Sequence, residues 1–233
     1  MPAQPAETTK TAQAAKTRRP AHEDPIAAAP LSESLRALAR RGAVRTLRKG
    51  VQIITEGDQG DSLFIVLRGG LRAFSVAPDG REVTYADYGP GEYVGEMSLD
   101  GGPRSANVET TCASVCVLVT RATLESHLAD DPTFAFELLA KVIRRARAAT
   151  VGMKGIALNS VYGRLKALIE HEATVLDGTR RTWPDVPTHL AISRRLGCSR
   201  EMVTRLLGDL EQGGCIVFEG RSLTLPKPLP AKW

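Results

Sequence analysis

Gly95-Glu96-Met97-Ser98-Leu99-Asp100-Gly101-Gly102-Pro103-Arg104-Ser105-Ala106 places one carboxylate, one guanidinium and one hydroxyl on a short loop punctuated by Gly and Pro. Arginine suits phosphate because its planar fork offers paired donors and keeps its charge. A carboxylate repels phosphate but accepts hydrogen bonds from a sugar hydroxyl. Glu96 and Arg104, eight residues apart, therefore predict a ligand with a ribose at one end and a phosphate at the other. Ser105 and free loop amides can add phosphate contacts.

The stretch sits among short β-rich runs separated by turn residues. The runs are Val51–Thr55, Leu63–Arg68, Leu71–Val76, Val83–Tyr88 and Ser114–Val119. Glu56-Gly57-Asp58, Arg68-Gly69-Gly70 and Pro78-Asp79-Gly80 break them, and this spacing predicts an all-β barrel or roll. Gly57, Gly69, Gly80 and Gly91 are expected in turn conformations that other residues adopt with difficulty. Upstream, residues 1–30 are rich in Ala, Pro and Thr without hydrophobic period and read as a disordered tail. Leu31–Arg40 has helical spacing and a serine start signal.

Downstream, Asp130-Asp131-Pro132 reads as a helix start, and the helix runs from Thr133 to near Asn159. Phe136, Leu139, Val142 and Ile143 form an apolar stripe on it that needs a partner. Ser160–Glu172 reads as a second amphipathic helix, with Val161, Leu165, Leu168 and Ile169 inward. Then Thr188–Glu211 holds two short helical patterns flanking Gly197, with Ser199 as the cap of the second, which is helix-turn-helix punctuation. Met202, Val203, Leu206, Leu207 and Leu210 make its buried face, while Arg200, Glu201, Thr204 and Arg205 project elsewhere. Arg pairs with guanine and Glu accepts from cytosine in the major groove. Cys215–Phe218 and Ser222–Leu225, joined by Glu219-Gly220-Arg221, read as a β-hairpin wing, with Arg221 at its tip near the DNA backbone.

The glutamate-to-serine loop, with the sequence G-E-M-S-L followed by P-R-S-A, resembles the phosphate-binding cassette of the cyclic-nucleotide-binding domain. Gly197-Cys-Ser-Arg-Glu-x-Val-x-Arg205 resembles the recognition segment of the cyclic AMP receptor protein and fumarate-nitrate reductase regulator superfamily of bacterial transcription factors. That resemblance implies an α+β chain. Residues 31–131 would form the nucleotide-binding β-roll, 132–159 a dimerisation helix and 160–233 a winged helix-turn-helix. It implies a ligand site of Gly95, Glu96, Met97, Ser98, Arg104 and Ser105, with Arg145 beside the ribose. The two hydroxyls that contact the base across the dimer in cyclic AMP receptors fall at Ala149 and Thr150, so one is missing. Cyclic AMP and cyclic GMP both stay open as effector, as does cyclic di-GMP. For DNA it implies Arg200, Glu201 and Arg205 at base edges and Thr188 at phosphate. His189 stands where the family carries arginine. Ser199 and Thr204 complete the expected face, and half-sites resembling TGTGA in a palindrome follow. RNA polymerase is the expected protein partner, and ligand-independent DNA binding or action through another protein are the alternatives.

Bulk properties agree. The net charge is +5 over 233 residues. Residues 44–128 carry 8 Lys+Arg against 11 Asp+Glu, whereas residues 160–233 carry 11 against 8, a basic C-terminal part suited to a polyanion. No apolar run approaches the ~20 residues of a membrane span, and no secretory signal is expected, which predicts a cytoplasmic protein. No Ser/His/Asp set, metal cluster or Walker loop suggests an enzyme. Cys112, Cys116, Cys198 and Cys215 form neither a C-x-x-C pair nor a zinc set with histidine and are expected as buried free thiols. The tail lacks the clustered cysteines of an iron–sulfur sensor, and His22, His127, His171 and His189 offer no evident haem ligand.

Overall fold

The computed structural model describes residues 24–177 and 180–233. It opens with α1 (Pro25–Ala28) and α2 (Glu33–Ala39), followed by eight strands: β1 (Ala43–Leu47), β2 (Gln52–Ile54), β3 (Ser62–Arg68), β4 (Leu71–Val76), β5 (Glu82–Tyr88), β6 (Tyr93–Val94), β7 (Asn107–Thr110) and β8 (Ser114–Thr120). Helices α3 (Arg121–Asp130), α4 (Phe134–Leu158) and α5 (Val161–Glu172) come next. The chain ends with β9 (Thr174–Asp177), β10 (Arg180–Trp183), α6 (His189–Leu196), α7 (Arg200–Gln212), β11 (Val217–Glu219) and β12 (Ser222–Leu225).

Two antiparallel sheets, ordered β1-β8-β3-β6 and β2-β7-β4-β5, form the roll. Side chains alternate across a strand, and β3 uses both faces. Leu63, Ile65 and Leu67 pack outward under α1, α2 and α3, while Val66 packs inward against the second sheet. Strand β8 does the same with Val115, Val117 and Val119 outward and Cys116 inward. Burial on both faces explains why these two strands read as nearly continuous apolar runs. Gly57, Gly69, Gly80 and Gly91 all take positive φ, as the turn reading expects.

Several expectations are amended. Residues 1–23 of the expected tail lie outside the described residues, and from Asp24 the chain is structured. Asp24 caps α1, and Ile26 and Ala29 are buried in the roll core. Asp131 follows a helix that was not foreseen, α3, and its carboxylate accepts from the Thr133 amide at 3.2 Å just before α4 begins. Cys112 is exposed, because it lies in the turn before β8 rather than in the strand. Cys116 and Cys215 are buried, and burial pushes the Cys116 thiol up to about 11.

The C-terminal unit has its own core of Leu165, Ile169, Trp183, Ile192, Val203, Leu207, Leu210 and Leu223. Strands β11-β12-β10-β9 make its sheet, with Trp183 paired to Leu223. The helix-turn-helix reading holds: Thr188 caps α6, Gly197 ends it at φ 63°, and Ser199 caps α7. Among the described residues no helix is long and apolar enough to cross a membrane.

Candidate nucleotide site and DNA-reading face

Strand β6 delivers the chain into the cassette through Gly95, whose φ of 95° is left-handed. A Cβ there would lie 2.7 Å from the Ser62 carbonyl, so both backbone angle and space require glycine. The next three residues form a 3-10 turn that drives Glu96 and Ser98 inward, at 6% and 3% exposure, and leaves Met97 outside. The loop returns through Arg104, whose amide donates to the Asp58 carbonyl and whose carbonyl accepts from Gly57.

The Arg104 side chain is 7% exposed. Its Nη1 donates to the Gly95 carbonyl at 2.9 Å and to Ser98 Oγ at 2.8 Å, and its Nη2 donates to Ser62 Oγ at 3.2 Å. All three partners are neutral, and among the described residues Arg104 makes no ion pair. Burial draws this guanidinium below its ordinary value, opposed by the charges of Asp61 and Glu96. It is a desolvated cation held in place without a counter-ion, the condition that favours an incoming anion.

Glu96 supplies the second half. Its Oε1 pairs with Arg145 Nη1, while Oε2 is buried without a hydrogen-bond partner. A buried acceptor left unpaired is costly, and a ligand hydroxyl satisfies it. Arg145 arrives from the middle of α4. It also donates to the Tyr93 carbonyl, and its guanidinium carbon lies 4.8 Å from the Tyr88 ring centroid. Burial works against its charge, but the Glu96 pair outweighs this and holds it above its ordinary value.

Glu96, Arg104, Ser105 and Arg145 line one cavity of about 1210 Å³ between the roll, α4 and the C-terminal unit. Two of the expected ligand residues already have partners within the chain. The Ser98 hydroxyl donates to the Gly95 carbonyl and accepts from Arg104, so it orients the arginine while also lining the cavity. Thr150 is exposed and does not line the cavity of its own chain, and its Oγ1 donates to the Ala146 carbonyl one turn back. Loop amides expected for phosphate are also engaged: Leu99, Gly101 and Gly102 bond within the loop. Sequence reading missed Ser62, Tyr88 and Tyr93. The two tyrosines bracket the Gly89–Gly91 turn, and their aromatic character in a chain with four tyrosines was the available signal.

On the C-terminal unit, Arg200, Glu201, Thr204 and Arg205 are all exposed along α7, as expected of a reading face. Hydrogen bonds from its own amide and from Ser199 hold the Glu201 carboxyl below the usual carboxylate range, so it is an acceptor at neutral pH. Thr188, His189, Thr204 and Arg221 line a common cleft between α6, α7 and the wing. Thr204 Oγ1 donates to the Arg200 carbonyl, and His189 Nδ1 lies 2.8 Å from Thr204 Oγ1. Thr188 and Ser199 use their hydroxyls as caps. Arg221 pairs with Asp185 at 2.6 Å, though its side chain stays 76% exposed.

A nucleotide-type pocket in a β-roll, joined through a long helix to a winged helix-turn-helix, defines a ligand-controlled DNA-binding protein. Residues 44–131 match the cyclic nucleotide-binding domain, and residues 188–216 match the bacterial regulatory proteins of the crp family. The chain belongs to that family. It is 32% identical over 182 residues to the CRP-like cAMP-activated global transcriptional regulator of Mycobacterium tuberculosis, covering 76% of this chain and 81% of that one. It is 28% identical to the cAMP-activated global transcriptional regulator Vfr of Pseudomonas aeruginosa, covering 74% and 84%. In fold it is similar to the c-di-GMP responsive regulator CLP of Xanthomonas campestris, with TM-score 0.73, 20% identity, and 82% and 97% of the chains covered.

Proposed function

We propose that this chain is a homodimeric transcription regulator whose DNA affinity is set by a cyclic nucleotide, cyclic AMP foremost. One observation carries the reading. The orphaned Glu96 Oε2 and the ion-pair-free Arg104 open on one cavity, one fit for a ribose hydroxyl and the other for a phosphate. The relatives named cAMP-activated support cyclic AMP over cyclic GMP. Ser105, exposed beside Met97, adds a phosphate contact.

The second copy packs along α4. Phe136, Leu139, Val142 and Ile143 stand 38–77% exposed on that helix, and a partner helix buries them. Thr150, outside its own cavity, then reaches the base in the partner's cavity. Two-fold symmetry places two α7 helices one turn of DNA apart on a palindrome of TGTGA-like half-sites. The dimer reports a signal rather than turning over a substrate. It works in the cytoplasm, on promoters where RNA polymerase is its neighbour.

Calorimetry with cyclic AMP, cyclic GMP and cyclic di-GMP tests this. Cyclic AMP is expected to bind, and Arg104→Ala to abolish the heat. Absence of binding by all three nucleotides sinks the sensing claim.

A further inference from the structure

Strand β5 serves two parts of the molecule at once. Thr84, Tyr85 and Ala86 line the nucleotide cavity. Two acids on the same strand hold the DNA-reading unit. Glu82 Oε1 accepts from Arg194 of α6 at 2.8 Å, while its Oε2 accepts from Arg72 of β4 at 2.7 Å. Asp87 Oδ2 accepts from Arg195 at 2.9 Å, and Arg195 also reaches Glu172 at the end of α5 at 3.2 Å. Burial opposes the charge of Arg195, and its bonds to Asp87 and Glu172 outweigh that and raise it.

The contact is polar. Ile192 and Leu196 of α6 are buried in the core of their own unit. The roll therefore does not complete that core, and the ion pairs fix orientation rather than folding. Arg72 also has Glu109 at 2.8 Å, so it keeps a partner when Glu82 loses its charge. Arg195, Leu196 and Gly197 of α6 line the same cavity as β5. A ligand there touches both sides of the docked contact. Half-exposed ion pairs each change an equilibrium only a few-fold, so a bound nucleotide has enough differential affinity to shift the docking. Polar contacts of this kind between domains are the ones that rearrange.

We propose that Glu82 and Asp87 are positioning residues that dock the DNA-reading unit on the roll through Arg194 and Arg195, and that the nucleotide acts on DNA affinity through this ionic latch. The second half rests on the nucleotide reading of the cavity, whereas the first half does not.

The test uses the full chain and the Glu82→Gln/Asp87→Asn double variant, with thermal melting as the check that both units stay folded. Hydrogen exchange without nucleotide is expected to speed up at least threefold in residues 189–197 and to stay unchanged in residues 206–210. The ratio of operator affinity with and without cyclic AMP is expected to fall at least threefold. Asp87→Glu, which keeps the charge, retains the wild-type ratio. Arg194→Gln on top of Glu82→Gln adds less than twofold, because each breaks the same pair. Unchanged exchange in residues 189–197 overturns the latch. Faster exchange with an unchanged or larger ratio overturns its role in coupling. If cyclic AMP does not bind the wild-type chain, the nucleotide reading has failed, and the exchange data still decide whether the latch exists.

Discussion

Ser98 Oγ accepts a 2.8 Å hydrogen bond from Arg104 Nη1 in the buried floor of the cassette. The serine thus holds in place the arginine proposed to meet the phosphate. Hydrogen bonds to a charged group contribute roughly 1.5–3 kcal/mol. Ser98→Ala is expected to weaken cyclic AMP at least tenfold by calorimetry. Arg104→Lys should fail as well, since a single ammonium cannot reach the Gly95 carbonyl, Ser98 and Ser62 together.

Gly60 tests the same arginine from the other side. A Cβ on Gly60 would run into the Arg104 guanidinium. Gly60→Ala should displace that group and lower nucleotide affinity, with the roll still folded by circular dichroism. Gly95→Ala differs, because it also meets backbone at positive φ. It is expected to cost stability of about 1–2 kcal/mol, read from urea unfolding.

The α4 stripe predicts assembly. Leu139→Asp with Ile143→Asp places two charges on the face assigned to the partner helix. Sedimentation should show a monomer, and affinity for a palindromic operator should drop to that for a single half-site. A dimer that survives both changes refutes the assigned face.

Base reading and phosphate contact separate in their signatures. Arg200→Ala and Glu201→Ala are expected to change the sequence recovered from a random DNA pool. Arg221→Ala should weaken all sequences alike and reduce the salt slope by about 1. A selected sequence untouched by either α7 change would show that α7 does not read bases.

Acid stability should depend on Asp131. Hydrogen bonds from Ser34 and Thr133 hold its carboxyl below the usual range in the folded state. A depressed folded value means the unfolded chain takes up the proton first as pH falls. The contribution is complete above the unfolded value of ~3.9 and is lost as pH falls through the folded one. Asp131→Asn should flatten the decline of urea stability as pH falls below about 4.

The strands with strong periodicity were legible, and the ends of the helix-turn-helix were legible from their caps. β3 and β8 announce themselves because both faces are buried. β1 could not be read from residues alone, since Ala43–Thr46 are all exposed and only the ladder to β8 makes them a strand. β7 is likewise a short segment defined by distant β2 and β4, and β10 by distant β12, while β9 is a four-residue edge strand paired only to β10. At the site, Glu96 and Arg104 were legible because charge on a Gly/Pro loop has few explanations, whereas Arg145, on α4, was expected only from the family resemblance. Ser98 and Thr150 were named from the sequence, but their bonds to the Gly95 and Ala146 carbonyls were not legible in it. Residue type states what a hydroxyl can do, whereas only the fold shows which acceptor it has already found. Nothing in the sequence singled out Glu82 and Asp87, because their partners on α6 are more than 100 residues away.

Helix α4 runs unbroken for 25 residues, and Arg145 grips Glu96 near its middle. The stretch from Arg145 to Leu158 spans about 20 Å at ~1.5 Å per residue. A tilt of about 10° at that grip swings the far end by about 3 Å, roughly one base-pair step of DNA at ~3.4 Å. The helix is therefore a lever with its fulcrum at the Glu96 carboxylate, and a sub-ångström change beside it is geared up to the scale on which the double helix is read.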